Sequence, residues 1–144
     1  MNPAADVLEV LARIPYARFL GVSATVHGDE MTAILPYAEH LLGNPSLPAL
    51  HGGVIGAFME MTALAQLSLS EKLMRQPRPV DISVEFLRSG RPMTTYARAQ
   101  INKVGRRIAN VQVEAWQEER ARPIAALRGH FLLTPVEEAS STVP

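Results

Sequence analysis

Between Glu39 and Glu71 the sequence holds a single formally charged side chain, Glu60. Around it the chain reads GVIGAFMEMTALAQLSL, apolar on nearly every face of a helix. A helix that is hydrophobic all round must be enclosed, so the segment from Gly52 to about Lys72 predicts a central helix wrapped by the rest of the domain. A carboxylate placed there is costly unless it is hydrogen-bonded, paired or open to a cavity. Its neighbours at helical spacing are Gly53, Gly56, Ala57, Ala63 and Leu64. The small residues before it leave room for a ligand or a second backbone. Two readings stay open. Glu60 is a structural carboxylate, paired with an arginine or turned to solvent, or it is a poised acid, base or nucleophile.

What could enclose the helix is written in the remaining periodicity. A short helix is expected over Asp6–Arg13, within an N-terminal segment of residues 1–14, and Pro15 breaks it. Val22, Ala24 and Val26 alternate with polar residues, Gly28-Asp29 turns the chain, and Met31–Leu35 returns. Residues 36–51, with three prolines and a Gly-Asn pair, predict an irregular loop. Beyond the helix the strand patterns run through Val80–Phe86, Ala97–Ile101, Ala109–Ala115 and Ala125–Leu133, with turns at Val104-Gly105-Arg106 and near Arg120. Each shows one apolar face, the mark of an antiparallel sheet covered on one side. The expected class is α+β, one domain over residues 1–144, with a disordered tail over 135–144.

Composition narrows the function. The 144 residues carry 14 basic and 14 acidic groups, which argues against a nucleic-acid partner. There is no cysteine, so disulfides, thiolate metal sites and a Cys nucleophile are excluded, and a cytoplasmic location is compatible. The four histidines have no metal-ligand spacing, and no metal is expected. The N-terminus lacks the pattern of a signal peptide, and the apolar stretch is too interrupted for a membrane span. The charge is unevenly placed: residues 1–71 hold 2 basic and 7 acidic side chains, residues 72–134 hold 12 basic and 5 acidic. Solvated strand edges would explain the basic half, and so would a site for one anionic ligand.

The start of the helix, His51-Gly52-Gly53, lets the backbone turn sharply and lets a ligand approach it. The first N–H groups of a helix lack internal partners and can polarise a carbonyl. Glu60 lies 8 residues beyond Gly52, which is ~12 Å along one helix at ~1.5 Å per residue. A carboxylate and the N–H that polarises its target must converge within ~3 Å of the same reacting atoms. If both act, Gly52 of one subunit must meet Glu60 of another, across a two-fold axis that builds two sites.

The residues HGGVIGAFMEMTA, 51–63, resemble the His-Gly-Gly motif and following acid of the hotdog-fold acyl-CoA thioesterases, closest to their PaaI-like branch. VDISVEFLRSG, 80–90, and KVGRR, 103–107, resemble that family's strand after the helix and its next hairpin, and the likeness spans roughly residues 15–134. The resemblance implies an antiparallel sheet wrapped around one long central helix, paired as homodimers that assemble further as dimers of dimers. It implies hydrolysis of an acyl-CoA thioester without a cofactor. Gly52 would donate its N–H to the thioester carbonyl, and Glu60 of the opposing subunit would serve as base or nucleophile. Asn44 is the candidate for the loop amide that places water or carbonyl, one residue further from the motif than usual in the family with Pro45 between, and His51 and Gly53 would shape the turn against the substrate. Arg88, Lys103, Arg106 and Arg107 become candidate contacts for the phosphates of coenzyme A. The positions where some members carry a helper hydroxyl hold Leu64 and Pro79, and Thr62 faces another way. Phe58, Met59 and Met61 are available either to an acyl pocket or to the core. The alternatives are a module that binds acyl-CoA without cleaving it, and a structural oligomer in which Glu60 is a satisfied core carboxylate. A hydratase would need a His–acid pair in a different motif, and none is found.

Overall fold

The computed structural model describes residues 2–44 and 46–136. Two helices come first, α1 (Pro3–Ala12) and α2 (Pro15–Leu20). Asn2 caps α1 by accepting the N–H of Ala5, and Val7 and Leu11 are its buried face. Pro15 ends α1 as expected, but it also opens α2, which the sequence reading missed. A proline at the first helical position loses no hydrogen bond, and its fixed φ suits the turn. Gly21, at φ +81°, then closes α2 in a left-handed cap.

Strands β1 (Ser23–His27) and β2 (Glu30–Leu35) form the first hairpin. Residues 36–51 are more ordered than expected: a 3-10 turn at Glu39–Leu41 leads into a small hairpin, β3 (Leu42–Asn44) with β4 (Ala49–Leu50). Helix α3 (Gly52–Ser70) follows, then β5 (Arg75–Phe86), β6 (Thr95–Val104), β7 (Ile108–Trp116) and β8 (Ala125–Pro135). Among the described residues the long strands join one antiparallel sheet in the order β1-β2-β6-β7-β8-β5. The tail was expected from residue 135, yet Pro135 ends β8 and the Val136 N–H donates to Met74 O at 3.1 Å. The rest of that expectation, residues 137–144, lies outside the described residues.

Strand β5 begins five residues before the alternation alone suggests. Pro77 and Pro79 masked its first half, because proline cannot serve a ladder on both sides. Here β5 is an edge strand paired only with β8, and the register slips between Pro79 and Asp81. The missing donors therefore cost the sheet nothing.

The sheet curls around α3, which contacts β2, β5, β6, β7 and β8, while α1 closes another side. Phe58 and Met59 are fully buried and Met61 is nearly so; all three are core, which settles the choice left open for them. By length and composition α3 could cross a membrane, but its apolar surface is spent inside this sheet. Gln66, only 5% exposed, uses its whole carboxamide to tie the first hairpin to α3. Its oxygen accepts the Met31 N–H at 3.0 Å, and its NH2 donates to Asp29 O at 3.0 Å and Ser70 Oγ at 3.3 Å.

Candidate active site

The sheet leaves one side of α3 uncovered. Gly52, Gly53, Gly56, Ala57, Glu60 and Leu64 are incompletely buried, whereas every residue between them is buried. Those positions recur at three- and four-residue spacing, so they form a single stripe along the helix. Glu60 is the stripe's only ionisable group. It is half-buried, and among the described residues its carboxylate has no hydrogen-bond or ion-pair partner. The arginine partner considered from the sequence is therefore absent among them. Removal from water pushes its pKa above the ordinary glutamate value. A carboxylate so placed accepts a proton more readily than a solvated one.

At the other end of the stripe, His51 is the N-cap of α3, and its Nδ1 accepts the Gly53 N–H at 2.9 Å. The proton on this imidazole must then sit on Nε2. The His51 N–H donates to Leu41 O and the Leu50 N–H to Gly90 O, so the helix start is held by chain on both sides. Both glycines are explained by crowding. A Cβ on Gly52 would stand 3.2 Å from the Phe86 ring, and one on Gly53 would stand 2.9 Å from the His51 ring. The Gly52 N–H, at the first helical position, has no acceptor among the described residues.

Asn44 lies on the β3–β4 hairpin beside this helix start, where Gly43 packs against His51. Its Oδ1 accepts the Ser46 N–H at 2.9 Å, so the amide oxygen is engaged locally. Thr62 faces another way from Glu60, as expected, and is buried in the core with its hydroxyl donated to Phe58 O at 2.8 Å.

The basic residues do not form one cluster within a protomer. Arg88 lines a cavity of about 400 Å³ beside Gly52 and Phe86, and it donates to Pro123 O at 2.7 Å. Lys103, Arg106 and Arg107 line a second cavity of about 470 Å³ with Asn110 and His130. That second group sits near the far end of α3: Arg75, bound to Glu71 at the helix C-cap, also donates to Arg106 O at 2.7 Å. The two groups are thus separated by most of a 19-residue helix, on the order of 25 Å. Linear clustering of charge after residue 72 concealed this, because β5 and β6 carry the chain from one end of the sheet to the other. His130 escaped the sequence reading. Its Nδ1 lies 2.9 Å from Asp81 Oδ1 and its Nε2 3.1 Å from Asn110 Nδ2, an arrangement set by cross-strand register alone. Among the described residues no three metal-ligating side chains converge.

The model of the thioesterase superfamily matches residues 47–124, more than half of the chain. A solved protein of Chromobacterium violaceum is 40% identical, with 89% of each chain covered and a TM-score of 0.71. A Haemophilus influenzae thioesterase shares the fold at 23% identity, covering 94% of this chain and 93% of its own, with a TM-score of 0.82. So does the Escherichia coli PaaI protein from the phenylacetic acid degradation operon, at 16% identity, 90% and 91% coverage and a TM-score of 0.77. No functionally curated protein matches the sequence. With the matched segment spanning the His51 cap, the glycine turn, all of α3 and three of the strands that pack on it, β5, β6 and β7, this chain belongs to the thioesterase superfamily and has its hotdog fold.

Proposed function

We propose that the protein is an acyl-CoA thioesterase of the PaaI-like kind, working as a homodimer in which each site joins Gly52 of one protomer to Glu60 of its partner. The observation that carries the reading is Glu60 itself: a half-buried, unpartnered carboxylate with a raised pKa, on the open stripe of an otherwise enclosed helix.

Two features support the dimer. The midpoint between Gly52 and Glu60 is Gly56, and Val84 of β5 packs on that residue, 3.8 Å from where its Cβ would be. The proline-free part of the open β5 edge, 80–86, is centred on Ser83. A two-fold axis through this region would bring Gly52 of each helix opposite Glu60 of the other. It would also bring the Arg88 end of one protomer toward the Lys103–Arg106–Arg107 end of its partner. The two basic groups could then share the phosphates of one coenzyme A.

In the reaction, the Gly52 N–H receives the negative charge that develops on the thioester oxygen. Glu60 takes a proton from a water molecule as that water attacks the carbonyl carbon. Collapse of the tetrahedral intermediate breaks the C–S bond and expels the coenzyme A thiolate. In the second route Glu60 attacks directly and water cleaves the resulting anhydride. Single turnover in labelled water separates the two, since only direct attack places the label in Glu60.

The test is thiol release from a panel of acyl-CoAs, for which a chain without cysteine gives no background. Glu60→Gln is expected to lower turnover by ~10² or more with the dimer intact. A specific observation favours a second reading, the binding module: Leu64 and Pro79 stand where helper hydroxyls would be, and the Asn44 oxygen is engaged with Ser46. Tight acyl-CoA binding without thiol release would establish it.

A further inference from the structure

With Phe58, Met59 and Met61 in the core, the acyl group needs another place. The open stripe of α3 does not stop at Glu60. One helical turn on, Leu64 continues it, and Leu64 is also a wall of a cavity of about 360 Å³ between α3, α1 and the start of β5. The remaining apolar walls are Val10 of α1, Ile14 at the N-cap of α2, Leu73, Pro77 and Val136, and the charged Asp6, Glu9 and Arg13 complete the side toward α1. Ser68, 7% exposed, lies on the same wall two turns beyond Glu60. Arg75, fixed to Glu71 at 2.5 Å, stands past it at the C-terminal end of the helix.

Resting on the thioesterase reading above, we propose that this cavity is the acyl subsite and that it selects a medium-length aliphatic chain, with Val10, Ile14, Leu64 and Leu73 as the residues that set the preference. Three observations converge. The cavity begins one turn from the carboxylate and on its face of the helix. The path from Glu60 to Ser68 spans 8 residues, ~12 Å along the axis, which a short acyl group leaves partly empty. Among the described residues the apolar part of the lining is aliphatic, with no aromatic ring, so an aryl group finds no aromatic stacking partner, and the charged side chains stand beside it. The volume lies in the usual range for a small-molecule site. Helix α1 thereby gains a role, since its Val10 walls the subsite, joined by Ile14 at the N-cap of α2.

The experiment uses the full chain and non-hydrolysable thioethers, so that binding is read apart from chemistry. S-octyl-CoA is expected to bind at least ~30-fold more tightly than S-propyl-CoA, and more tightly than S-phenethyl-CoA. Ile14→Trp, which fills the cavity from the α1–α2 junction, is expected to reduce the octyl-to-propyl ratio to ~3-fold or less; Ser68→Leu fills it from α3 and does the same. Equal binding of the octyl and propyl compounds, tighter binding of the phenethyl compound, or an octyl preference untouched in both folded variants overturns the subsite. Thiol release from octanoyl-CoA is measured in parallel. Release without the octyl preference overturns the subsite alone, and the preference without release supports the subsite and overturns the hydrolase.

Discussion

The His51 imidazole and Gly53 are fitted to one another: Nδ1 accepts the Gly53 N–H at 2.9 Å, and a Cβ on residue 53 would stand 2.9 Å from that same ring. The cap that fixes the helix start is thus the group that forbids a side chain two residues later. His51→Ala is expected to cost about 1 kcal/mol through the lost cap. Gly53→Ala gains about 0.8–1 kcal/mol of helix propensity but displaces the ring, so it is expected to be neutral or destabilising in the wild type. In the His51→Ala background the same substitution becomes stabilising. Urea denaturation of the four proteins in a double-mutant cycle checks the sign change.

Glu60 gives stability a pH dependence of known sign. Its folded pKa is raised by burial, so between the ordinary glutamate value of about 4.5 and that raised value the native state holds more protons than the unfolded chain. Stability from this group therefore falls as pH rises through that window and is level below it. Glu60→Gln removes the effect, so the variant is expected to melt higher than wild type at neutral pH and to converge with it below about pH 4.5. Thermal melts across pH 4–8 read the difference directly. If Glu60 is the base, the acidic limb of thioester hydrolysis lies above the ordinary carboxylate range for the same reason.

Gln66 shows what a buried amide is worth when every partner is used. Gln66→Leu fills the same space but leaves the Met31 N–H and the Asp29 carbonyl without their partners. The expected cost is about 2–3 kcal/mol. Hydrogen exchange at the Met31 amide should accelerate more than exchange in β7, which the substitution does not touch.

Phe58, fully buried on α3, is among the largest side chains in the core. Phe58→Ala is expected to lower stability by about 3–5 kcal/mol, with the cavity adding to the lost transfer energy. A loss below 1 kcal/mol on chemical denaturation would show that the sheet does not hold this helix as tightly as described.

The fold was largely legible because its determinant is local and repetitive: α3 announces its burial in its own apolar run, and Ala109–Ala115 and Ala125–Leu133 announce their inner faces by alternation. The exceptions share a cause. Pro15, Pro77 and Pro79 read as breakers, yet one opens α2 and two sit on an edge where only one side of the ladder is needed. What proline does depends on its neighbours in space, and these are absent from a linear reading. The same holds at the site. The Gly52–Glu60 spacing and the glycine turn after His51 were visible because they belong to one helix and its start. The separation of Arg88 from Lys103, the Asp81–His130 contact and the cavity under α1 were not, since each depends on how strands distant in sequence are brought into register.

The enclosure of α3 has a consequence for how the chain is made. Of the strands that pack most extensively on this helix, β2 precedes it and β5, β6, β7 and β8 all follow. A growing chain therefore carries 19 residues of apolar helix before most of its cover has been synthesised. Because among the described residues β5 pairs only with β8, the last of these strands, that cover closes only once β8 has been synthesised. Contacts of such wide sequence separation make folding slow relative to a helical bundle of similar length. During that interval the segment that will carry Glu60 exposes apolar surface that favours aggregation.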